Sequence, residues 1–118
     1  GTIVEWRVPS GRLRAREADT MSQTVYAEFP CKEGEGANLL NMFREMAPES
    51  RAFEGCESFE VYTGSDNPDD VVIWERWTAR ANHEAFLAWR TETGVLDAVI
   101  LMLAGEFRIS YLDIQDDV

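Results

Sequence analysis

The sequence predicts an α+β protein with a four-stranded antiparallel sheet in a split βαβ arrangement and helices on one face. Three observations predict it. Short segments rich in β-branched and aromatic residues alternate apolar with polar positions, as half-buried strands do. Between them lie stretches whose apolar residues recur at i, i+3, i+4 and i+7, the stripe of an amphipathic helix. Glycines and prolines fall at the joins and set the order β-α-β-β-α(α)-β.

Taken in chain order, Thr2–Val8 reads as a short strand closed by Pro9, Ser10 and Gly11, and Leu13–Asp19 as a helical turn or ordered arm. Met21 is a candidate native start. Residues 1–22 are therefore read as an amino-terminal arm or extra strand, and residues 23–118 as the domain. Gln23–Phe29 is the first strand of that domain, and Pro30 to Gly36 break it. From Ala37 to about Met46, a stripe of Leu39, Leu40, Phe43 and Met46 or Ala47 predicts a helix, with Pro48 near its end. Burial alone explains those apolar residues. In Cys56–Thr63, alternation sets Cys56, Ser58, Glu60 and Tyr62 against Glu57, Phe59, Val61 and Thr63. The polar run Gly64–Asp70 has hairpin length.

Val71–Arg90 anchors the reading, since it holds a strand, a turn, a helix, most of the tryptophans and the single histidine. Val71, Ile73, Glu75 and Trp77 share one face of the strand, and Val72, Trp74 and Arg76 share the other, so both faces look half-buried. Asn82, Ala85, Phe86 and Trp89 then form a helical stripe. Such a strand and helix can enclose a space for a flat ligand. Thr93 and Gly94 suit a helix junction. A second stripe runs through Leu96, Val99, Ile100 and Leu103, Gly105 stops it, and Phe107–Ile114 is the last strand. Apolar residues on both faces of a single sheet call for a cover on the open side, and a second copy of the chain is the simplest one.

Length and composition bound the function. A chain of 118 residues makes one domain. With 22 acidic against 11 basic residues and a net charge of −11, it lacks the cation clusters that hold nucleic acid. No run is long enough for a membrane span and no secretion signal is visible, so a cytoplasmic protein is expected. Cys31 and Cys56 have no metal-type spacing and read as buried thiols; no metal site is expected. The topology places them at opposite ends of the sheet, too far apart for a disulfide.

The run Phe53–Tyr62 and the segment Trp74-Glu75-Arg76-Trp77, followed by Ala81–Phe86 and Trp89–Gly94, resemble the antibiotic biosynthesis monooxygenase family of the dimeric α+β barrel superfamily. The likeness spans roughly Thr24 to Ile114. It implies a ferredoxin-like domain, a homodimer, and oxidation of a hydroquinone- or anthrone-like aromatic by O2 without cofactor. That chemistry needs the substrate as its electron-rich anion, in a dry cleft with aromatic walls. The resemblance makes Trp77 the cleft tryptophan. It makes Tyr62, Asn82, Phe86 and Trp89 substrate-binding candidates, and His83 and Arg90 catalytic ones beside Trp77. Haem degradation is disfavoured, because the position of its iron-ligating histidine falls on Leu96.

Each candidate has a plainer reading. Trp77 can be core. His83, at the border of the stripe, fits a partly exposed surface histidine, although its ordinary pKa suits proton abstraction from a phenol. Arg90 can pair with Glu92 or another of the abundant carboxylates instead of a substrate oxyanion, and a buried Glu75 can be structural. A non-catalytic small-molecule-binding or interaction module on the same scaffold is the alternative function. An isomerase- or decarboxylase-like use of the cleft is a third.

Overall fold

The computed structural model describes residues 22–118. Its elements are β1 (Gln23–Pro30), α1 (Glu35–Ala52), β2 (Cys56–Thr63), β3 (Asp70–Trp77), α2 (Arg80–Glu92), α3 (Val95–Ile100) and β4 (Arg108–Leu112). The strands form one antiparallel sheet in the order β2-β3-β1-β4. This is the expected split βαβ, ferredoxin-like α+β fold. The expected strand Thr2–Val8, the turn Leu13–Asp19 and the arm up to residue 21 lie outside the described residues.

Register explains how the core forms. Val25 pairs with Glu75 and Tyr111, and Ala27 pairs with Ile73 and Ile109, so these residues share the face on which the helices pack. Phe29, Val71, Phe59 and Trp77 join them, and Leu39, Phe43, Phe86 and Val99 close the core from the helices. The opposite face carries Tyr26, Trp74, Tyr62 and Leu112, and there the expectation of half-burial fails in part. Trp74 is 40% exposed and Tyr62 53% exposed.

Four local readings are corrected. Helix α1 continues to Ala52 with Pro48 inside it. One lost hydrogen bond is outweighed there, because Ala47 and Ser50 are buried and Arg51 donates to the Phe59 carbonyl at 2.9 Å. A register shift between Cys56 and Ser58 places Cys56 opposite Trp77, which turns it to the helix face, against simple alternation. Ile100 is 50% exposed, because α3 is short and only Val99 is buried within it. The last strand is confined to Arg108–Leu112, and Ile114 beyond it is exposed.

Two devices hold the helices where the site needs them. Asp69, in the β2–β3 connection, accepts the Gly34 and Gly36 N–H groups at the start of α1 at 3.0 and 2.9 Å. A Cβ on Gly36 would lie 2.3 Å from the Pro68 carbonyl oxygen, so only glycine lets that helix end approach the loop. At the start of α2, Asn82 packs on Gly55 and donates to the Glu54 carbonyl at 3.4 Å. Cys31 and Cys56 are both unbonded thiols, as the topology requires. They are separated by the length of β1, about 26 Å at the rise of an extended strand.

Candidate functional site

Between the sheet and the helices lies a cavity of about 50 Å³. Phe29 and Ile73 line it from the sheet, Phe43 and Met46 from α1, Phe86 from α2 and Val99 from α3. Four polar side chains interrupt this apolar wall: Ser50, Glu75, His83 and Arg90.

Two of the four, His83 and Arg90, face inward because of where helix α2 is turned. Its buried residues are His83, Phe86 and Arg90, one position round from the expected Asn82–Trp89 stripe. His83 is therefore 1% exposed, which corrects the expectation of a surface histidine. Seven residues separate it from Arg90, two helical turns or about 10.5 Å along the same face. Glu75 reaches the same space from β3 by alternation and is 2% exposed.

At one end, His83 stands between two oxygen groups. Its Nδ1 is 2.8 Å from the Tyr111 hydroxyl of β4, and its Nε2 is 3.7 Å from Glu75 Oε1. Trp77 Nε1–H donates to that same Oε1 at 2.8 Å. Burial pushes the Glu75 carboxyl up to about 7, against the Trp77 hydrogen bond that lowers it. Burial also pushes His83 down to about 4, only partly offset by Glu84. Tyr111 is raised as well, by burial and then Glu84, while Arg80 opposes.

At the other end sits Arg90, 5% exposed. Its Nη2 donates to the Met46 carbonyl at 3.2 Å and to Ser50 Oγ at 3.1 Å, and its Nη1 to Glu49 at 3.4 Å. The carboxylate it pairs with is Glu49, not Glu92. Glu49 is 66% exposed, so its carboxylate is shared with water. Among the described residues, Arg90 Nε is the one buried side-chain nitrogen or oxygen without a hydrogen-bond partner. The arrangement is an apolar-walled pocket with a cation and an idle donor at one end and a proton-accepting cluster at the other. No group of three or more His, Cys, Asp or Glu among the described residues is placed to hold a metal ion.

The profile of the antibiotic biosynthesis monooxygenase family matches residues 22–99, from the start of β1 into α3. The chain belongs to the antibiotic biosynthesis monooxygenase family. Solved structures agree on the fold. A conserved protein from Methanosarcina mazei Go1 superposes with a TM-score of 0.73 at 18% identity, over 81% of this chain and 95% of that one. A structure described as an antibiotic biosynthesis monooxygenase gives 0.71 at 18% identity, over 78% and 97%. A protein from Mycobacterium tuberculosis gives 0.68 at 22%, over 81% and 97%. No curated protein sequence matches the chain.

On this monooxygenase-family scaffold, the structure brings His83, Phe86 and Arg90 to the cavity and leaves the other candidates outside it. Trp77 is fully buried, 5.0 Å from Phe86 and 6.1 Å from Phe53 between ring centres, so the expected gap between Trp77 and α2 is filled. It reaches the cavity only through its bond to Glu75. Trp89 stacks on Phe53 at 5.4 Å and lies under the Arg90 guanidinium at 4.2 Å. Asn82 tethers the α2 start to the Gly55 turn. Tyr62 lies on the far side of the sheet, where its hydroxyl donates to Glu60. Ser50 and Tyr111 were not singled out from the sequence. Ser50 carries no signal inside a helix expected to end before it.

Proposed function

We propose that this chain is a cofactor-independent monooxygenase that oxidises a small hydroquinone- or anthrone-like aromatic with O2, working as a homodimer in the cytoplasm. The observation that carries this reading is the buried Arg90, which lines an aromatic-walled cavity and whose Nε has no hydrogen-bond partner. A phenolate oxygen there would satisfy the donor and the charge together. Holding the substrate as its anion favours electron transfer to O2. One oxygen atom then enters the product and the other leaves as water. Phe86 supplies wall, His83 faces the substrate's other end, and Trp77 fixes Glu75.

A cavity of about 50 Å³ is well below the ~300 Å³ at which ligand sites begin, and it suits O2 better than an aromatic ring. Entry of the substrate thus requires the rim made by Leu87, Val95 and Leu96 to move, and the α2–α3 junction at Gly94 is the place for it. The same small volume favours the alternative, a non-catalytic binding module for smaller guests. O2 uptake with a panel of quinols and anthrones separates them. Turnover that falls in Arg90→Ala and Trp77→Phe supports the oxygenase; uptake at the uncatalysed rate across the panel leaves the binding module.

The homodimer is supported by the outer sheet face, where Tyr26 and Trp74 meet edge to face at 5.7 Å beside the exposed Tyr62 and Leu112. We read residues 1–22 as an amino-terminal arm or extra strand. The free thiols suit a reducing compartment. No helix among the described residues is long and apolar enough to cross a membrane.

A further inference from the structure

We propose that Glu75 takes the substrate's proton, and that His83 and Tyr111 relay it from the cavity to the surface. The proposal rests on the monooxygenase reading and adds a route that reading lacks. Removing a proton in an apolar-walled cavity helps only if the proton can leave, and three groups stand in line to carry it. Glu75 and His83 both line the cavity. Behind them, His83 Nδ1 meets the Tyr111 hydroxyl at 2.8 Å. Tyr111 belongs to β4, an edge strand of the sheet, and is only half-buried. Arg80 lies over its ring at 3.9 Å, at the exposed start of α2.

The transfers balance. The substrate hydroxyl gives its proton to the Glu75 carboxylate. The resulting acid passes a proton to His83 Nε2 as Nδ1–H passes one to the Tyr111 oxygen, and the Tyr111 hydroxyl proton leaves to solvent. Each group ends with the charge it began with, and the imidazole never becomes a cation, which its burial opposes. Release of the second oxygen atom as water draws a proton back along the line and restores the first tautomer. The 3.7 Å between Nε2 and Oε1 exceeds a hydrogen bond, and one water in the adjoining cavity, which has room for it, bridges such a distance.

A purely structural role accounts less well for this cluster. Two desolvated ionisable groups in a core are usually no more stabilising than apolar residues of the same shape. The groups that face His83 and its partners are Glu75 from β3, Cys56 from β2, Tyr111 from β4, and Glu84 and Arg80 from α2.

The chain's single histidine makes the test direct. In protein labelled with ¹⁵N-histidine, the ring signals should step as Glu75 titrates; Glu75→Gln should abolish the step, and Tyr111→Phe should shift Nδ1. With 1,4-naphthohydroquinone as probe, Glu75→Gln should lower kcat about 100-fold at neutral pH, the size of a general-base effect. That deficit should close as the pH passes the probe's own pKa. Wild-type kcat and pH profile in Glu75→Gln would overturn the proposal. If the wild-type protein consumes no O2 with any quinol, the monooxygenase reading fails and the ring signals decide. Signals indifferent to both substitutions then overturn the relay, and coupled signals sustain it.

Discussion

Glu75 and His83 oppose each other in the pH dependence of stability. Burial raises Glu75 from 4.5 to about 7, so across that window the folded chain holds a proton that the unfolded chain has released. Its contribution is present at low pH and is lost as the pH rises through 7. His83 is lowered from 6.5 to about 4, so there the unfolded chain binds the extra proton, and stability is lost as the pH falls through that range. Glu75→Gln keeps an acceptor for Trp77 and removes only the first effect. Relative to wild type, it should gain on the order of 3 kcal/mol between about pH 4.5 and pH 8. Urea midpoints at the two pH values measure this, and a constant difference between the proteins would contradict it. Trp77→Phe removes the hydrogen bond that lowers Glu75, so the Glu75 carboxyl should titrate still higher, read by ¹³C NMR of that carboxyl. Little of this was legible in the sequence. The inward register of Glu75 was visible in β3, but the lines Asn82–Trp89 and His83–Arg90 are neighbours on α2. Residue type favoured the first, with Ala85 and Trp89 on it. Burial of the second depends on Glu75, Tyr111 and Ser50, which arrive from distant parts of the chain.

Among the elements, α1 depends on a residue outside it. Asp69 accepts two of its first N–H groups, a cap supplied from 33 residues away in sequence. Asp69→Ala should cost about 1–2 kcal/mol, in the range of cap deletions, while Asp69→Asn, which keeps one acceptor oxygen but turns an NH2 toward the other N–H, should recover at most part of that. Thermal or urea unfolding measures both; wild-type stability in Asp69→Ala would mean that α1 does not depend on this cap. Strands were legible to within a residue or two, because β-branched alternation and the Gly64–Asp70 turn speak locally. The end of α1 was not. Pro48 removes one hydrogen bond, and the gain that carries the helix to Ala52 comes from tertiary contacts of Ala47, Ser50 and Arg51. Likewise the shift at Cys56 is a register irregularity that alternation cannot foresee.

At the scale of the molecule, the sheet has a packed face and an open one, and the function proposed here uses both. Trp74→Arg on the open face should convert a dimer to a monomer in sedimentation velocity with the fold intact; an unchanged sedimentation coefficient would place the partner elsewhere. Fold class and topology followed from the order of elements and were readable. The cavity was not, because its position away from Trp77 follows from how Phe53, Phe86 and Trp77 fill the space expected to be empty. The central claim is that Arg90 holds the oxyanion of an aromatic undergoing oxygenation. It is tested most directly by following ¹⁸O2 with 1,4-naphthohydroquinone in wild-type protein and in Arg90→Met, which keeps the apolar bulk and removes the donors. The account predicts one labelled atom in the product and one in water, at a rate that falls about 100-fold in the variant, as when a positioned oxyanion donor is removed. Equal labelling rates in the two proteins would contradict it.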